Sequence, residues 1–165
     1  MTFIHLQWSA LKKMFEEAEK EDKTDFRARE LNVLLGVGEY KAILLFMFPI
    51  LKDLRRITKL FQTKTGNNLQ IYAELKQFVL DLCRRILKPS VLKANNVYQL
   101  LNLDLTTNFN LLSLNDTDFG NVFLREISRF PASHQLDLKN KAREYMRALM
   151  RNLQHHIGKT LRTLG

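Results

Sequence analysis

From Tyr40 to Gln62 the chain reads YKAILLFMFPILKDLRRITKLFQ, and Tyr40, Ile43, Met47, Ile50, Leu54, Ile57 and Phe61 recur at steps of three and four. That spacing sets them on one stripe of a helix. The half from Ala42 to Leu51 is apolar on every side, which predicts cover from several neighbours. Lys52, Asp53, Arg55, Arg56 and Lys59 give the other half a polar face. Pro49 lacks a backbone N–H and crowds the preceding turn, so a kink is expected near Met47 and Phe48, with the periodicity resuming in phase.

Weaker patterns flank this central helix. Trp8, Leu11, Phe15 and Ala18 predict a short amphipathic helix to about Lys20, and the segment 19–25, dense in charge of both signs, predicts a solvated end or loop. Phe26 to Leu35 predicts another short helix, stopped by Gly36 and Gly38. On the other side TKTGNN, residues 63–68, is a turn by composition, with Asn67 or Asn68 as a helix cap. Ile71, Leu75, Phe78, Leu82 and Ile86 mark a helix from about Leu69 to Leu87 that stops before Pro89. A turn this short predicts a long antiparallel hairpin, with Arg84, Arg85 and Lys88 at the end that holds the start of the central helix and apart from Lys52 to Lys59.

Beyond Pro89 the pattern leaves helix and short irregular or extended pieces open as far as LDLTTNFNLLSLNDTDF. A helix follows from about Asp118 to Arg129, with Phe119, Val122, Phe123 and Ile127 inward and Pro131 as its stop. A last helix runs from about Asp137, as a cap, to Ile157, with Leu138, Ala142, Tyr145, Leu149 and Leu153 inward. The sum is an all-α, multi-helix bundle and a single domain over residues 1–165.

Composition agrees with that pattern: 165 residues at 45% hydrophobic content suffice for one core, and six glycines with three prolines are too few for a turn-rich β fold. The single Cys83 excludes an internal disulfide and a zinc site of several thiolates, and reads as a small core residue in an intracellular protein. The amino terminus resembles neither a signal nor a transit peptide, and the longest apolar run, ten residues from Ala42, is half of a membrane span. Charge is uneven: residues 1–40 hold six Lys or Arg against eight Asp or Glu, leaving twenty against nine for residues 41–165. The basic body favours DNA or another polyanion, or an acidic protein surface.

The cations that carry this expectation are Lys52, Arg55, Arg56 and Lys59, then Arg84 and Arg85, then Arg143, Arg147 and Arg151, which repeat every four residues as an outward stripe of the last helix. No enzyme signature accompanies them. GVGEYK lacks the Gly-Lys-Ser/Thr ending of a phosphate loop, and the carboxylates of residues 19–25 lack the contrasting environments of an acid/base pair. His155 and His156 are sequence neighbours without ligand-spaced Cys or carboxylates, so they are expected on the surface near a helix end, with no metal. Asn115, Asp116 and Thr117 match the glycosylation pattern by accident in a chain without a secretory signal.

The phrase Ile50 to Gln62, with Leu54, Lys59, Leu60, Phe61 and Gln62, followed by IYAELKQFVLDLCRRIL, resembles the helical part of hAT-superfamily transposases and of their host-derived, zinc-finger-associated relatives. KAREYMRALMRNLQHHI, from Lys141, is similar to the helix in which those proteins carry an Ala-Arg-x-Phe/Tyr pattern before a basic tail. HLQWSALKKMF is similar to their Arg-Trp segment, with Gln7 where the family has arginine. The resemblance implies the helical insertion domain of such a protein without its neighbours: no strand series carries the three metal-binding acids of a ribonuclease-H-like sheet, and Asp53, Asp81, Glu126 and Glu144 stand apart in sequence. It implies a non-enzymatic, nuclear module without cofactor or small-molecule substrate, binding nucleic acid through its basic faces. The alternatives are an interaction scaffold, whose apolar surface lies between Leu92 and Phe123 and meets a partner or a second copy, and an inactive remnant.

Overall fold

The computed structural model describes residues 3–21, 26–62 and 68–164, and for 3–6, 68 and 156–164 the backbone alone. Within them eight helices follow in order: α1 (Phe3–Glu21), α2 (Phe26–Gly36), α3 (Gly38–Gln62), α4 (Asn68–Ile86), α5 (Pro89–Ala94), α6 (Val97–Leu100), α7 (Asn121–Ile127) and α8 (Ala132–Leu164). The fold is all-α. The turn expected at 63–68 falls outside the described residues except for Asn68, which opens α4.

Helix α3 runs unbroken through Pro49 and forms the inner wall of the bundle with Ala42, Leu45, Phe46, Ile50 and Ile57. The buried arc is therefore rotated from the stripe read off the sequence, since Tyr40 and Phe61 are exposed. The rotation is set by Phe46. Its ring lies 5.5 Å from Phe123 and 6.4 Å from Phe119, and meets Tyr145 edge-on at 6.1 Å, so one aromatic side chain draws α3, the entry to α7, and α8 together. Such tilted and edge contacts add to the large apolar area that each ring buries.

A second tie between α3 and α7 is ionic: Lys41 Nζ lies 3.1 Å from Glu126 Oε1, with both side chains largely buried and Arg129 approaching the same oxygen at 3.6 Å. Gly38 permits the close approach nearby, because a Cβ there would sit 3.0 Å from the ring of Phe130. Helix α4 brings Leu75, Phe78, Val79, Leu82, Cys83 and Ile86 to the same core. Arg56 pairs with Glu74 at 2.8 Å, and Arg85 shares a cavity with Leu45 and Pro49, contacts that run in opposite order along α3 and α4.

The segment that the sequence leaves open, 89–120, holds two short helices and an irregular stretch. Pro89 starts α5, and Asn96 with Gln99 forms a reciprocal capping box on α6. The irregular stretch 101–120 supplies what the end of α4 lacks: Asp118 N–H donates to Arg85 O at 3.0 Å, Leu112 N–H to Ile86 O at 2.8 Å, and Leu87 forms an isolated bridge with Leu111. These are carbonyls that a helix end leaves without internal partners. Gly120, at φ 81°, turns the chain from this stretch into α7.

Several boundaries move. Phe119 is core but precedes α7, which begins at Asn121; α8 begins at Ala132, so Asp137 is inside it and pairs with Lys141 at 2.7 Å instead of capping. Because α8 continues to Leu164, the exposed His155 is not near its end. Helices α1 and α2 pack on one another, with Trp8 Nε1 donating to Leu35 O at 3.2 Å, and α2 leans on α3. Among the described residues no single helix is long and apolar enough to cross a membrane.

Two outcomes follow from this core. Phe46→Ala should cost about 3 to 5 kcal/mol in denaturant unfolding, because three elements lose one shared ring. Burial pushes the Cys83 thiol from its ordinary 9.0 up to about 12, against a smaller downward pull from Arg84. The folded thiol keeps its proton where the unfolded one loses it, so this contribution to stability is whole below pH 9 and lost as pH rises toward 12. At pH 8 a thiol reagent should label the unfolded chain and leave native Cys83 unmodified; fast native labelling would contradict its burial.

Candidate interaction surface

The nine cations expected to contact phosphates do not form one footprint. Arg84 is held by Asp81 at 2.6 Å, and Asp81 also accepts from Gln77. Arg56 is committed to Glu74. Arg85, half-buried, turns toward the apolar cavity between α3 and α7.

The stripe on α8 is not the solvated face expected of it. Arg143 and Arg147 are half-buried, each with a buried Nε that has no hydrogen-bond partner, and only Arg151 is exposed. Arg147, whose side chain is 12% exposed, pairs with Glu144 at 2.7 Å and donates to the carbonyls of Leu105 and Thr106, the latter at 2.7 Å. Gln154 donates to Leu103 O at 3.0 Å two turns further on. Together they hold the irregular stretch on α8. Within the period-of-four stripe, Arg147 is thus committed to loop carbonyls.

Lys52, Arg55 and Lys59 remain exposed on α3. At 3.6 residues per turn they lie within an arc of about 60°. Beside them stands a feature that the sequence reading places elsewhere. Tyr40, Leu44, Phe48 and Leu51 are 49%, 43%, 41% and 43% exposed, and share an arc of about 80° on the same outer side. The apolar half of α3 is thus covered by several neighbours, as expected, with this outer strip left open between them. Single exposed apolar residues are ordinary, but four aligned on three turns form a patch. The signal was legible as a second stripe, at steps of four, four and three, beside the one assigned to the core.

The patch opens at its amino-terminal end on a groove of about 290 Å³ lined by Trp8, Leu31, Leu34, Leu35, Tyr40 and Leu44, together with Ile43. The outer side of α3 thus reads groove, apolar stripe, then three cations. The alternative apolar surface expected between Leu92 and Phe123 is mostly core: Val97, Leu100, Leu101, Leu105, Leu111, Phe119 and Phe123 are buried. Phe109 is the exception, exposed with Lys88 Nζ 5.4 Å from its ring centre.

Three of the four carboxylates named as stray acids are occupied structurally: Glu126 by Lys41 and Arg129, Asp81 by Arg84, and Glu144 by Arg147. Among the described residues no three His, Cys, Asp or Glu side chains group as metal ligands.

The two kinds of arginine on α8 separate by mutation. Arg147→Gln should lower stability by about 2 kcal/mol, the scale of hydrogen bonds to a charged group, and speed amide exchange through 103–112. Arg151→Gln should change stability by less than about 0.5 kcal/mol. Equal effects would remove the clamp. Comparison of the chain with protein-family models, with curated proteins and with solved structures found no match in any of the three.

Proposed function

We propose that the chain is a non-catalytic interaction module whose working surface is the outer side of α3. One observation carries this reading: Tyr40, Leu44, Phe48 and Leu51 lie exposed in one line on a helix whose opposite side is core. An amphipathic helix laid along that line would bury its leucines there, as in helix-in-groove recognition. Lys52, Arg55 and Lys59 continue the line, so the partner segment is acidic at the end that meets them. The formal charge of +9 opposes close pairing of two copies and favours an acidic partner over self-association. The occupied state of Glu126, Asp81 and Glu144 supports a non-catalytic role. Descent from the helical insertion of a hAT-like transposase is a proposal that rests on the sequence resemblance and fits an all-α fold.

Lys52, Arg55 and Lys59 also favour a second reading, contact with nucleic-acid phosphates in the nucleus, because they are exposed together on one helix side. It shares the surface and differs in what the apolar stripe contributes.

A labelled amphipathic peptide with leucines at matching steps and glutamates in its last turn separates the two. It should bind the chain in fluorescence anisotropy, and Leu44→Glu with Leu51→Glu should abolish binding while leaving the unfolding midpoint nearly unchanged. Persistence of binding in that double variant, or no binding to the parent chain, sinks the interaction reading. For the second reading, a labelled DNA duplex should bind at low salt, and replacing Lys52, Arg55 and Lys59 by Gln should reduce the salt slope by about 2 to 3. An unchanged slope, or no binding at low salt, removes nucleic acid.

A further inference from the structure

On the far side of α3 from the Trp8 groove, a cavity of about 270 Å³ lies between the middle of that helix and the entry to α7. Its apolar walls are Leu45, Phe48, Pro49, Phe119, Val122 and Phe123, and its polar side chains are Arg85 from α4, the one charged group, and Asn121 at the start of α7. Arg85 Nη1 is buried and has no hydrogen-bond partner, and none of the described carboxylates pairs with this guanidinium.

A guanidinium cannot neutralise itself by losing its proton, and a buried donor without an acceptor is costly, so this position calls for an explanation beyond packing. Arg147 is similar only in part, because its other nitrogens are spent on Glu144 and on loop carbonyls. Arg85 instead lines a half-open hollow of aromatic and aliphatic walls. One cation set against apolar walls matches one kind of ligand: a single negative charge on an apolar body.

We propose that this cavity binds a small amphiphilic monocarboxylate, its carboxylate on Arg85 and its apolar body against Leu45, Phe48, Phe119, Val122 and Phe123. The fork of guanidinium donors suits a carboxylate bidentately. A second cation does not line the cavity, which sets a monoanion above a phosphate dianion. Size limits the body: a cavity of about 150 Å³ takes a benzene, so this one takes a ligand of roughly ten non-hydrogen atoms. The site goes beyond the outer surface of α3, sharing only Phe48 with it.

The test is a titration of the isotope-labelled full chain, read by amide chemical shifts, with octanoate and with octanol as probes. Octanoate should bind saturably, with shifts centred on Leu45, Arg85 and residues 119–123, and at least tenfold more tightly than octanol. Arg85→Gln should cost octanoate at least tenfold and leave octanol unchanged. Val122→Trp, which keeps the charge and fills the hollow, should block both probes. Should Arg85→Gln fail to fold, the ratio of octanoate to octanol in the parent chain and the block by Val122→Trp decide. Leu44→Glu with Leu51→Glu, which disrupts the outer surface, should leave octanoate binding intact, so the two sites fail separately. Equal affinity for octanol, full octanoate binding in Arg85→Gln, or no saturable binding overturns the proposal.

Discussion

Everything else in the bundle is arranged around the ring of Phe46. It is buried among Phe119, Phe123 and Tyr145, so it fixes which side of α3 faces inward and brings two later helices to it. Once that side is chosen, helical geometry decides the rest: residues on the opposite side of the helix from Phe46, such as Leu44, Phe48 and Leu51, must face away. Helices α4, α7 and α8 occupy the inner arc and α2 leans on the amino-terminal end, which leaves the strip through Leu44, Phe48 and Leu51 open. The exposed stripe is thus a geometric result of the core.

Electrostatics in this fold is mostly local. An excess of nine positive charges suggests a surface built to attract polyanions. Yet in the regularly spaced stripe Arg147 holds backbone carbonyls and Arg151 alone is exposed, and Arg56 and Arg84 are matched by acids on the same or an adjacent helix. Lys52, Arg55 and Lys59 are exposed together directly beyond the apolar stripe, whereas Lys76, Lys93, Arg125 and Arg151 are exposed singly on other helices. That juxtaposition sets a cluster of charge beside an apolar strip on one face of one helix.

The long helices were legible because their apolar periodicity runs for many turns: α3, α4 and α8 stand where Tyr40 to Gln62, Leu69 to Leu87 and Asp137 to Ile157 placed them, with α8 extended at both ends. Buried Cys83 and Phe123 were legible for the same reason. The inward stripe of α3 was legible along its middle, where Ile43, Met47, Ile50, Leu54 and Ile57 are core or packed against it. What could not be read was that Phe46 would join them while Leu44, Phe48 and Leu51 stay exposed, since only the tertiary partners of Phe46 decide it. The fate of Arg147 was equally hidden. Its role depends on carbonyls 41 residues away in a stretch without periodicity, and spacing along one helix carries no information about that. The same holds for Arg85, whose neighbours in the cavity come from α3 and from residues 119–123.

The clamp between Arg147 and the carbonyls of Leu105 and Thr106 joins the middle of the chain to its last helix. A ribosome makes the chain from the other end. At usual elongation rates Arg147 follows Thr106 by roughly 2 to 8 s, an interval in which the stretch after α6 has no α8 to rest on and the ring of Phe46 has no Tyr145. The side of Phe46 that Tyr145 covers and the carbonyls that Arg147 holds are therefore without these partners until α8 has been made.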